Sequence, residues 1–370
     1  MSEITRREFE LALVGAAATA GAGPVEAAER GRDEPVADGC ITDVPGVKVG
    51  HFTYTRRPTG CSVVLFEDGA TAGVDYDGSG PGDLQAVMLQ PTSMIQTIWA
   101  IVFAGGSSYG LGTPLGAMQY LEERNLGEHW WPGRPKMVMP IVIGAILDDL
   151  HVGDWTVRPD AESAYKACQA SSAGGVQEGC VGAGAGATVG TASYGNGLAM
   201  KSGIGTAGLR VGELVIGALM VVNATGDIVE WPRGTILAGC RREDGKGFLN
   251  LAETLKQKML RDGVRKRPVE MHHTTIGVVA TNASFGKAEL TRIAMMANTG
   301  AAKVVSPYHT PEDGDQLFAV STRKAEVDVD VMSVGVLAAQ IVATAIQRAV
   351  KMATSIPGFP AYRDYTLKLR

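Results

Sequence analysis

The sequence predicts a layered α/β protein, in which β-strands and helices alternate along most of the chain. Short β-branched and apolar runs, such as residues 98–104 and 214–222, have the composition of buried strands. Runs with apolar residues at helical spacing, such as 114–124 and 287–304, come between and after them. The composition, 45% hydrophobic and 20% charged over 370 residues, is that of a globular chain with room for one large domain or two.

The predicted elements of the N-terminal half alternate between these two kinds of run. They are strands at 47–52, 62–66, 98–104 and 136–146, and helices at 114–124 and 160–171. Segments such as Asp43-Val44-Pro45-Gly46 separate them and are typical of turns. The chain holds 48 glycines in no short repeat, which indicates tight turns and close backbone packing.

The C-terminal half continues the alternation. Strands are predicted at 214–222, from Thr274 to about 281 and at 317–321, and helices at 248–261, 287–304 and 332–352. We expect the segment Asn282-Ala283-Ser284 to cap the helix that begins near Lys287, because short polar side chains accept hydrogen bonds from the first N–H groups of a helix.

A Gly-rich segment, residues 179–190, resembles a phosphate-binding loop at first sight. It lacks the terminal Lys-Ser/Thr pair of a P-loop and the spaced acidic residue of a dinucleotide site. We therefore interpret it as a tight structural turn.

Residues 1–37 have the features of an export signal. Thr5-Arg6-Arg7-Glu8-Phe9 precedes a short apolar run at 11–18 and then small residues, the pattern of a twin-arginine signal. The apolar run is too short to span a bilayer. We therefore expect a periplasmic or other extracytoplasmic protein without stable membrane insertion, whose residues 38–370 form one catalytic domain. A disordered tail on a cytoplasmic protein is the alternative.

Charge and cysteine content exclude several classes of partner. The net charge of −5 provides no basic surface for nucleic acid. The five cysteines form no C-x-x-C pair, so neither a disulfide framework nor a zinc site is predicted. We expect mostly buried, reduced thiols and no metal or organic cofactor.

Thr274 is the most informative residue of the chain. It opens a β-branched strand after a charged, loop-like run at 265–270 and the pair His272-His273. A Thr at a strand entrance is often only a good β-former. If the bond between His273 and Thr274 is cut, however, Thr274 gains an α-amine, with an ordinary pKa of roughly 7.7–8.0, which can act as base for its own hydroxyl.

Polar groups elsewhere in the chain fit the interpretation of Thr274 as a nucleophile exposed by cleavage. Asn223 follows a strand, where its amide can donate a hydrogen bond to a developing oxyanion. The turn Asp313-Gly314-Asp315 brings two carboxylates that can hold the hydroxyl and orient the new amine. Taken alone, the Asp-Gly-Asp run is equally typical of an ordinary turn.

A competing nucleophile is Ser108. Residues 105–110 contain Gly-x-Ser-x-Gly between a predicted strand and helix, the context of the nucleophile elbow in α/β-hydrolases. That elbow needs an acid and then a His later in the chain. The late candidate is His309, with Asp148 or Asp149 as the acid, and no characteristic spacing near the end of the chain supports the set.

Several collinear motifs resemble those of the DmpA-like family of self-cleaving aminopeptidases and amidases, which includes β-aminopeptidases, L-aminopeptidase/D-esterase and nylon-oligomer hydrolase. The resemblance extends over residues 41–350. The motifs are Ile41-Thr42-Asp43-Val44-Pro45-Gly46-Val47-Lys48-Val49-Gly50-His51, Gly105-Gly106-Ser107-Ser108-Tyr109-Gly110-Leu111, Val181-Gly182-Ala183-Gly184, Val222-Asn223, Thr274-Thr275-Ile276, His309-Thr310 and Asp313-Gly314-Asp315.

The resemblance implies a four-layer αββα sandwich similar to N-terminal-nucleophile hydrolases, cut by its own nucleophile into residues 38–273 and 274–370. By resemblance, the nucleophile is Thr274, the oxyanion amide is Asn223, and the paired acids of the nylon-hydrolase branch are Asp313 and Asp315. It also implies a homo-oligomer of the processed unit, and it makes the 105–110 segment a turn.

Three positions depart from the family pattern. His273 stands where the nylon-hydrolase branch often has Asn. Thr191 appears where that branch has a Lys, which leaves Lys201 as a candidate substitute, and Asp148 falls where some members have an aromatic hydroxyl.

The sequence therefore predicts a self-processing N-terminal-Thr aminopeptidase or amidohydrolase. It cleaves amide or ester bonds of small peptides or amino-acid amides through an acyl-enzyme. The alternatives are a serine esterase that uses Ser108 and an unprocessed, non-catalytic or acyl-transferring relative.

Overall fold

The structure, a computed structural model, describes residues 37–76, 78–191, 198–264 and 273–367. They belong to one compact unit, Val36–Arg370. The predicted export signal and the run at 265–272 that precedes His273 lie outside the described residues.

Fourteen strands and six α-helices are found in these ranges. The strands are β1 (Lys48–Thr53), β2 (Gly60–Asp75), β3 (Asp83–Leu84), β4 (Ile98–Ala104), β5 (Val142–Ile146), β6 (Thr188–Val189), β7 (Met200–Lys201), β8 (Ile204–Val211), β9 (Leu214–Asn223), β10 (Asp227–Glu230), β11 (Thr235–Ala238), β12 (Thr274–Thr281), β13 (Val305–Ser306) and β14 (Gln316–Ser321). The helices are α1 (Pro114–Glu122), α2 (Ala161–Gln169), α3 (Leu251–Asp262), α4 (Lys287–Val304), α5 (Val331–Lys351) and α6 (Tyr362–Leu367).

Strand β2 belongs to two sheets. Its first part pairs with β1 on one side and β4 on the other, and β4 continues to β5 and β3. Its last residues, 71–75, pair with β14, and that sheet continues through β12 and β9 to β8. A register irregularity between Leu65 and Ala70 marks the change from one sheet to the other.

The alternation of side chains along β12 and β14 builds two cores. Ile276, Val278 and Phe318 face the first sheet, and the ring of Phe318 lies 6.3 Å from that of Phe103 in β4. Val279 and Leu317 face the opposite way and pack with apolar residues of α4 and α5. Helices α1 and α2 cover the outer face of the first sheet. The predicted four-layer αββα order is therefore found.

Helix α5 is a core helix. It is 21 residues long with a mean hydropathy of 1.4, so length and composition alone would allow it to cross a membrane. Val334, Ile341 and Ile346 are nevertheless fully buried, in the core that α5 shares with β8, β9 and α4. Gly300 in α4 permits close helix packing, since a Cβ there would lie 1.9 Å from the carbonyl oxygen of Ala339.

Two predicted details of the elements are wrong. Strand β5 begins at Val142 and not at 136, because Pro140 has no N–H for a sheet ladder. Helix α4 is capped by Gly286 and Glu289, whose carboxylate accepts the Gly286 N–H at 2.7 Å. Asn282 does not cap it, because its amide oxygen accepts the Val215 N–H at 2.9 Å.

Candidate active site

Thr274 lies at the end of a central strand in the second sheet, which is formed by the last part of β2 with β14, β12, β9 and β8. It is the first residue of β12, only 6% exposed, and directly opposite Asn223, the last residue of β9. The β-branched run after Thr274 forms the buried strand that the sequence predicts. The register therefore brings together two of the predicted site residues from positions 51 residues apart.

The hydroxyl of Thr274 touches the peptide bond that is the predicted cleavage site. It donates a hydrogen bond to the carbonyl oxygen of His273. The backbone N–H of Gly314 donates to the same oxygen at 2.9 Å. A carbonyl that accepts two hydrogen bonds is polarised, and the hydroxyl oxygen of Thr274 lies beside it.

Gly314 can approach this closely because it has no side chain. A Cβ there would lie 2.4 Å from the carbonyl oxygen of Gly80 and 3.1 Å from the hydroxyl oxygen of Thr274. The N–H of Gly80 donates to the carbonyl of Asp313 at 3.2 Å, which fixes the turn against the neighbouring loop. Sequence reasoning noted Gly314 only as part of a turn.

Asp313 fastens the start of this turn. It forms a parallel bridge with His273 and is almost completely buried. Its carboxylate accepts the Thr225 hydroxyl at 2.8 Å and the Thr310 N–H at 3.0 Å. The Asp313 side chain thus links the segments of Thr225 and Thr310 to the turn that lies next to Thr274.

Asp315 fastens the end of the turn and is 1% exposed. One carboxylate oxygen accepts the Thr275 N–H at 2.5 Å, and the other lies 3.2 Å from Nδ1 of His309. Burial raises the pKa of Asp315 to about 6, and the nearby Asp313 adds to this, while the His309 and Thr275 hydrogen bonds oppose it.

The two carboxylates were expected to hold the Thr274 hydroxyl, and in the uncleaved chain they bind elsewhere. Asp313 and Asp315 contact the backbone and side chains around Thr274, whose hydroxyl bonds to His273. The reason is that the peptide bond to His273 still occupies the position where cleavage would create the new amino terminus. Their catalytic roles concern the cleaved chain and stay predictions.

Asn223 is oriented by hydrogen bonds from its amide. Its oxygen accepts the Thr188 N–H at 3.0 Å, and its nitrogen donates to the carbonyl of Asp148 at 3.0 Å. Asp148 therefore meets the site through its main chain, while its carboxylate accepts the Leu150 N–H.

Thr191, which stands where the nylon-hydrolase branch has a Lys, and Lys201, the candidate substitute, have different surroundings. Thr191 lies at the site, with its hydroxyl 2.8 Å from Nδ1 of His273. Lys201 is fully buried, and its ammonium donates to the carbonyls of Gly184, Ala187 and Ser202. Burial lowers the pKa of Lys201. Lys201 therefore stabilises the Gly-rich turn at 179–190 through these hydrogen bonds.

Ser108 is not part of a catalytic set within the described residues. It is exposed in a short 3₁₀ helix, and its hydroxyl makes no hydrogen bond there. The predicted acid Asp149 is buried and bound to Arg57 at 2.6 Å. His309, the predicted base, is bound to Asp315.

Sequence comparisons show the family to which the chain belongs. Residues 39–363 match peptidase family S58. An uncharacterized aminopeptidase of Mycobacterium leprae is 36% identical, over 87% of this chain and 92% of its own. A 6-aminohexanoate-oligomer endohydrolase of Paenarthrobacter ureafaciens is 28% identical, over 84% and 85%.

Solved structures share the fold. A Pyrococcus horikoshii protein has a TM-score of 0.66 at 22% identity, covering 92% of this chain and 95% of its own. An L-aminopeptidase D-Ala-esterase/amidase from Ochrobactrum anthropi, described as a variant of the Ntn hydrolase fold, has a TM-score of 0.62 at 21% identity, covering 90% and 94%. The chain therefore belongs to peptidase family S58, and it is an amide-bond hydrolase with the N-terminal-nucleophile fold, as the sequence predicts.

Proposed function

We propose that the chain cuts itself between His273 and Thr274, and that Thr274 then hydrolyses amide or ester bonds of small peptides or amino-acid amides. The observation that carries the proposal is the pair of hydrogen bonds on the His273 carbonyl oxygen, one from the Thr274 hydroxyl and one from the Gly314 N–H. Nucleophile, electrophile and oxyanion donor are already assembled in the precursor.

Self-cleavage begins with an N-to-O acyl shift. Thr274 Oγ1 bonds to the carbonyl carbon of His273, and the C–N bond breaks. The hydroxyl proton passes to the leaving nitrogen, which becomes the α-amine. Water then hydrolyses the ester, so that one chain ends at His273 and the other begins at Thr274. The Gly314 N–H stabilises the oxyanion in both steps.

Turnover uses the same atoms with the new amine as base. The amine accepts the hydroxyl proton while Oγ1 attacks the substrate carbonyl, and it returns a proton to the leaving amine. The Gly314 N–H and the Asn223 amide stabilise the oxyanion. Water then hydrolyses the acyl-enzyme ester, which releases the acid and restores the Thr274 hydroxyl. Asp315 already binds the N–H of Thr275, the residue next to the new terminus, and Asp313 holds the turn that carries Asp315.

The substrate class is supported by the relatives. Relatives that are 35–36% identical are named uncharacterized aminopeptidases, and one that is 28% identical is named a 6-aminohexanoate-oligomer endohydrolase. Both names describe cleavage of an amide that joins small amino-acid units. We therefore assign short peptides and amino-acid amides or esters as substrates.

Denaturing electrophoresis with N-terminal sequencing tests the proposal. Purified protein should give two bands, the smaller beginning Thr274-Thr275-Ile276. Thr274→Ala should give one band and no hydrolysis of an amino-acid p-nitroanilide, because it removes the attacking oxygen. Ser108→Ala should cleave and turn over like the wild type. An uncut chain that hydrolyses the substrate, or loss of activity in Ser108→Ala alone, would overturn the assignment.

We also propose that processed units form a homo-oligomer. Trp130, Met137 and Met139 are large apolar side chains that are 38–46% exposed within one short segment, which is typical of an interaction surface. Native mass determination should give a multiple of the mass of the chain. A monomer at micromolar concentration would contradict this.

Export through the twin-arginine route is proposed from residues 5–28 alone. Replacing Arg6 and Arg7 together by Lys should retain the protein in the cytoplasm while leaving its activity unchanged. Cell fractionation measures this, and extracytoplasmic protein in the double variant would contradict the route.

A further inference from the structure

The residue before the nucleophile is the first acyl group that the site holds. In self-cleavage the ester joins the carbonyl of His273 to Thr274 Oγ1. In turnover the ester joins the carbonyl of the substrate to the same oxygen. Because the Gly314 N–H stabilises the oxyanion in self-cleavage and in turnover in our proposal, the two acyl groups lie on the same side of Thr274, and their side chains point to the same part of the site.

The imidazole of His273 is buried beside the hydroxyl of Thr191. His273 is 8% exposed, and the hydroxyl oxygen of Thr191 lies 2.8 Å from Nδ1 of the ring and 3.1 Å from Nε2. The same hydroxyl lies 3.5 Å from the carbonyl oxygen of Ala224, to which it can donate. In that arrangement it accepts a hydrogen bond from the ring.

Thr191 directly follows a closely packed turn at Gly190. Gly190 has a φ of +70°, and its N–H donates to the carbonyl of Gly226 at 3.2 Å. A Cβ on Gly190 would lie 2.0 Å from the backbone nitrogen of Cys240, so the turn packs directly on the neighbouring segment. The backbone that leads into Thr191 is therefore fixed by packing, which lowers the cost of ordering the hydroxyl for each substrate.

We infer that Thr191 lines the subsite for the side chain of the acyl residue, and that the mature enzyme favours acyl residues with a hydrogen-bonding side chain, imidazole above all. The inference rests on the proposed function, since it requires Thr274 to form both esters. An apolar side chain of the same size leaves the Thr191 hydroxyl with only its weak bond to Ala224.

The direct test compares L-histidine p-nitroanilide with L-phenylalanine p-nitroanilide, because both side chains are aromatic rings on one methylene and only the imidazole has hydrogen-bonding nitrogens. The wild type should show a kcat/KM about tenfold higher for the histidine substrate, the usual effect of one buried hydrogen bond. Thr191→Val should lower this ratio to near one, and Thr191→Ser should keep it. Thr299→Val, which changes an exposed Thr on α4, is the matched control and should keep the wild-type ratio.

Self-cleavage provides a second measurement on the full chain. His273→Phe should slow precursor processing about tenfold in the wild-type background. In the Thr191→Val background the same substitution should slow processing less, because the hydrogen bond to Thr191 is already absent.

The outcomes separate this inference from the proposed function. If Thr274→Ala abolishes hydrolysis but Thr191→Val leaves the substrate ratio unchanged, or if the two processing effects simply add, Thr191 does not line the subsite and the proposed function stands. If Thr274→Ala hydrolyses the histidine substrate at the wild-type rate, both fail.

Discussion

At the residue scale, the Asp313-Gly314-Asp315 turn fixes the carbonyl that Thr274 attacks in our proposal. The two carboxylates bind Thr225, Thr310, His309 and the Thr275 N–H, and the N–H between them binds the His273 oxygen. The acids thus position an oxyanion donor before cleavage, whatever they do afterwards.

Gly314→Ala tests this role. A Cβ would lie 2.4 Å from the Gly80 carbonyl oxygen, so the turn must shift and its N–H must move away from the His273 oxygen. A displacement of this kind should slow self-cleavage about 100-fold. The time course of precursor loss on gels measures it. Gly175→Ala, where a Cβ meets nothing within 4 Å, should process normally; equal rates in both variants would exclude the N–H as a participant.

Asp315 should make the precursor less stable as pH rises. Its pKa is about 6 in the folded chain against an ordinary 3.8, so the folded state binds more protons between these values. The stability that comes from the protonated carboxyl is complete below about pH 4 and is lost as pH rises through 6, a change of about 3 kcal/mol.

Urea unfolding of the Thr274→Ala precursor at pH 4.5 and pH 7 measures this change. Adding Asp315→Asn should remove most of the pH dependence, because the amide does not ionise. Asp68→Asn, an exposed carboxylate, is the control. The difference between the variants is the informative quantity, since burial also raises the pKa of Asp227. An unchanged pH dependence in Asp315→Asn would contradict the assignment.

At the element scale, a buried ion pair supports the turn at 105–110. Arg57 donates to the Asp149 carboxylate at 2.6 Å and to the carbonyls of Val152 and Val157, each at 2.7 Å. Asp149 also accepts the Gly106 N–H at 2.9 Å. The motif at 105–110 that resembles a nucleophile elbow is thus a turn whose backbone is held by a hydrogen bond to the buried Asp149.

Arg57→Met should destabilise the Thr274→Ala precursor by about 3–5 kcal/mol, because it leaves the Asp149 charge buried without its partner. Lys324→Met, which breaks an exposed pair with Asp68, should cost about 1 kcal/mol or less. Urea unfolding compares the two. If they cost the same, the buried pair is not a structural support.

The sequence predicted which elements carry the site better than it predicted the contacts within it. The strands of Thr274 and Asn223 follow from β-branched runs, and the pairing of their ends explains why two distant residues meet. The Gly314 contact was missed because it depends on three segments that meet only after folding. Thr191 was noted solely as a departure from a family pattern, with no local signal for its contact with His273.

At the scale of the whole molecule, the order of the four layers was predicted from the family resemblance. That β2 takes part in both sheets was not predicted. The prediction placed only a short strand at 62–66, because Gly69 and Gly73 interrupt the apolar run. In the fold Gly73 permits the strand to continue under α4, where a Cβ would lie 2.3 Å from the Thr291 nitrogen. A glycine that breaks a sequence pattern can therefore lie inside a strand.

The pairing of β12 with β9 and of β14 with β2 determines how the molecule behaves once the His273–Thr274 bond is cut. The small chain then supplies two adjacent strands, and strands of the large chain flank them on both sides. The chains cannot separate without breaking the sheet, so they should co-purify. Once they are unfolded, refolding becomes a bimolecular reaction that slows on dilution. Cleavage therefore turns a fold that forms within one chain into a kinetically trapped heterodimer.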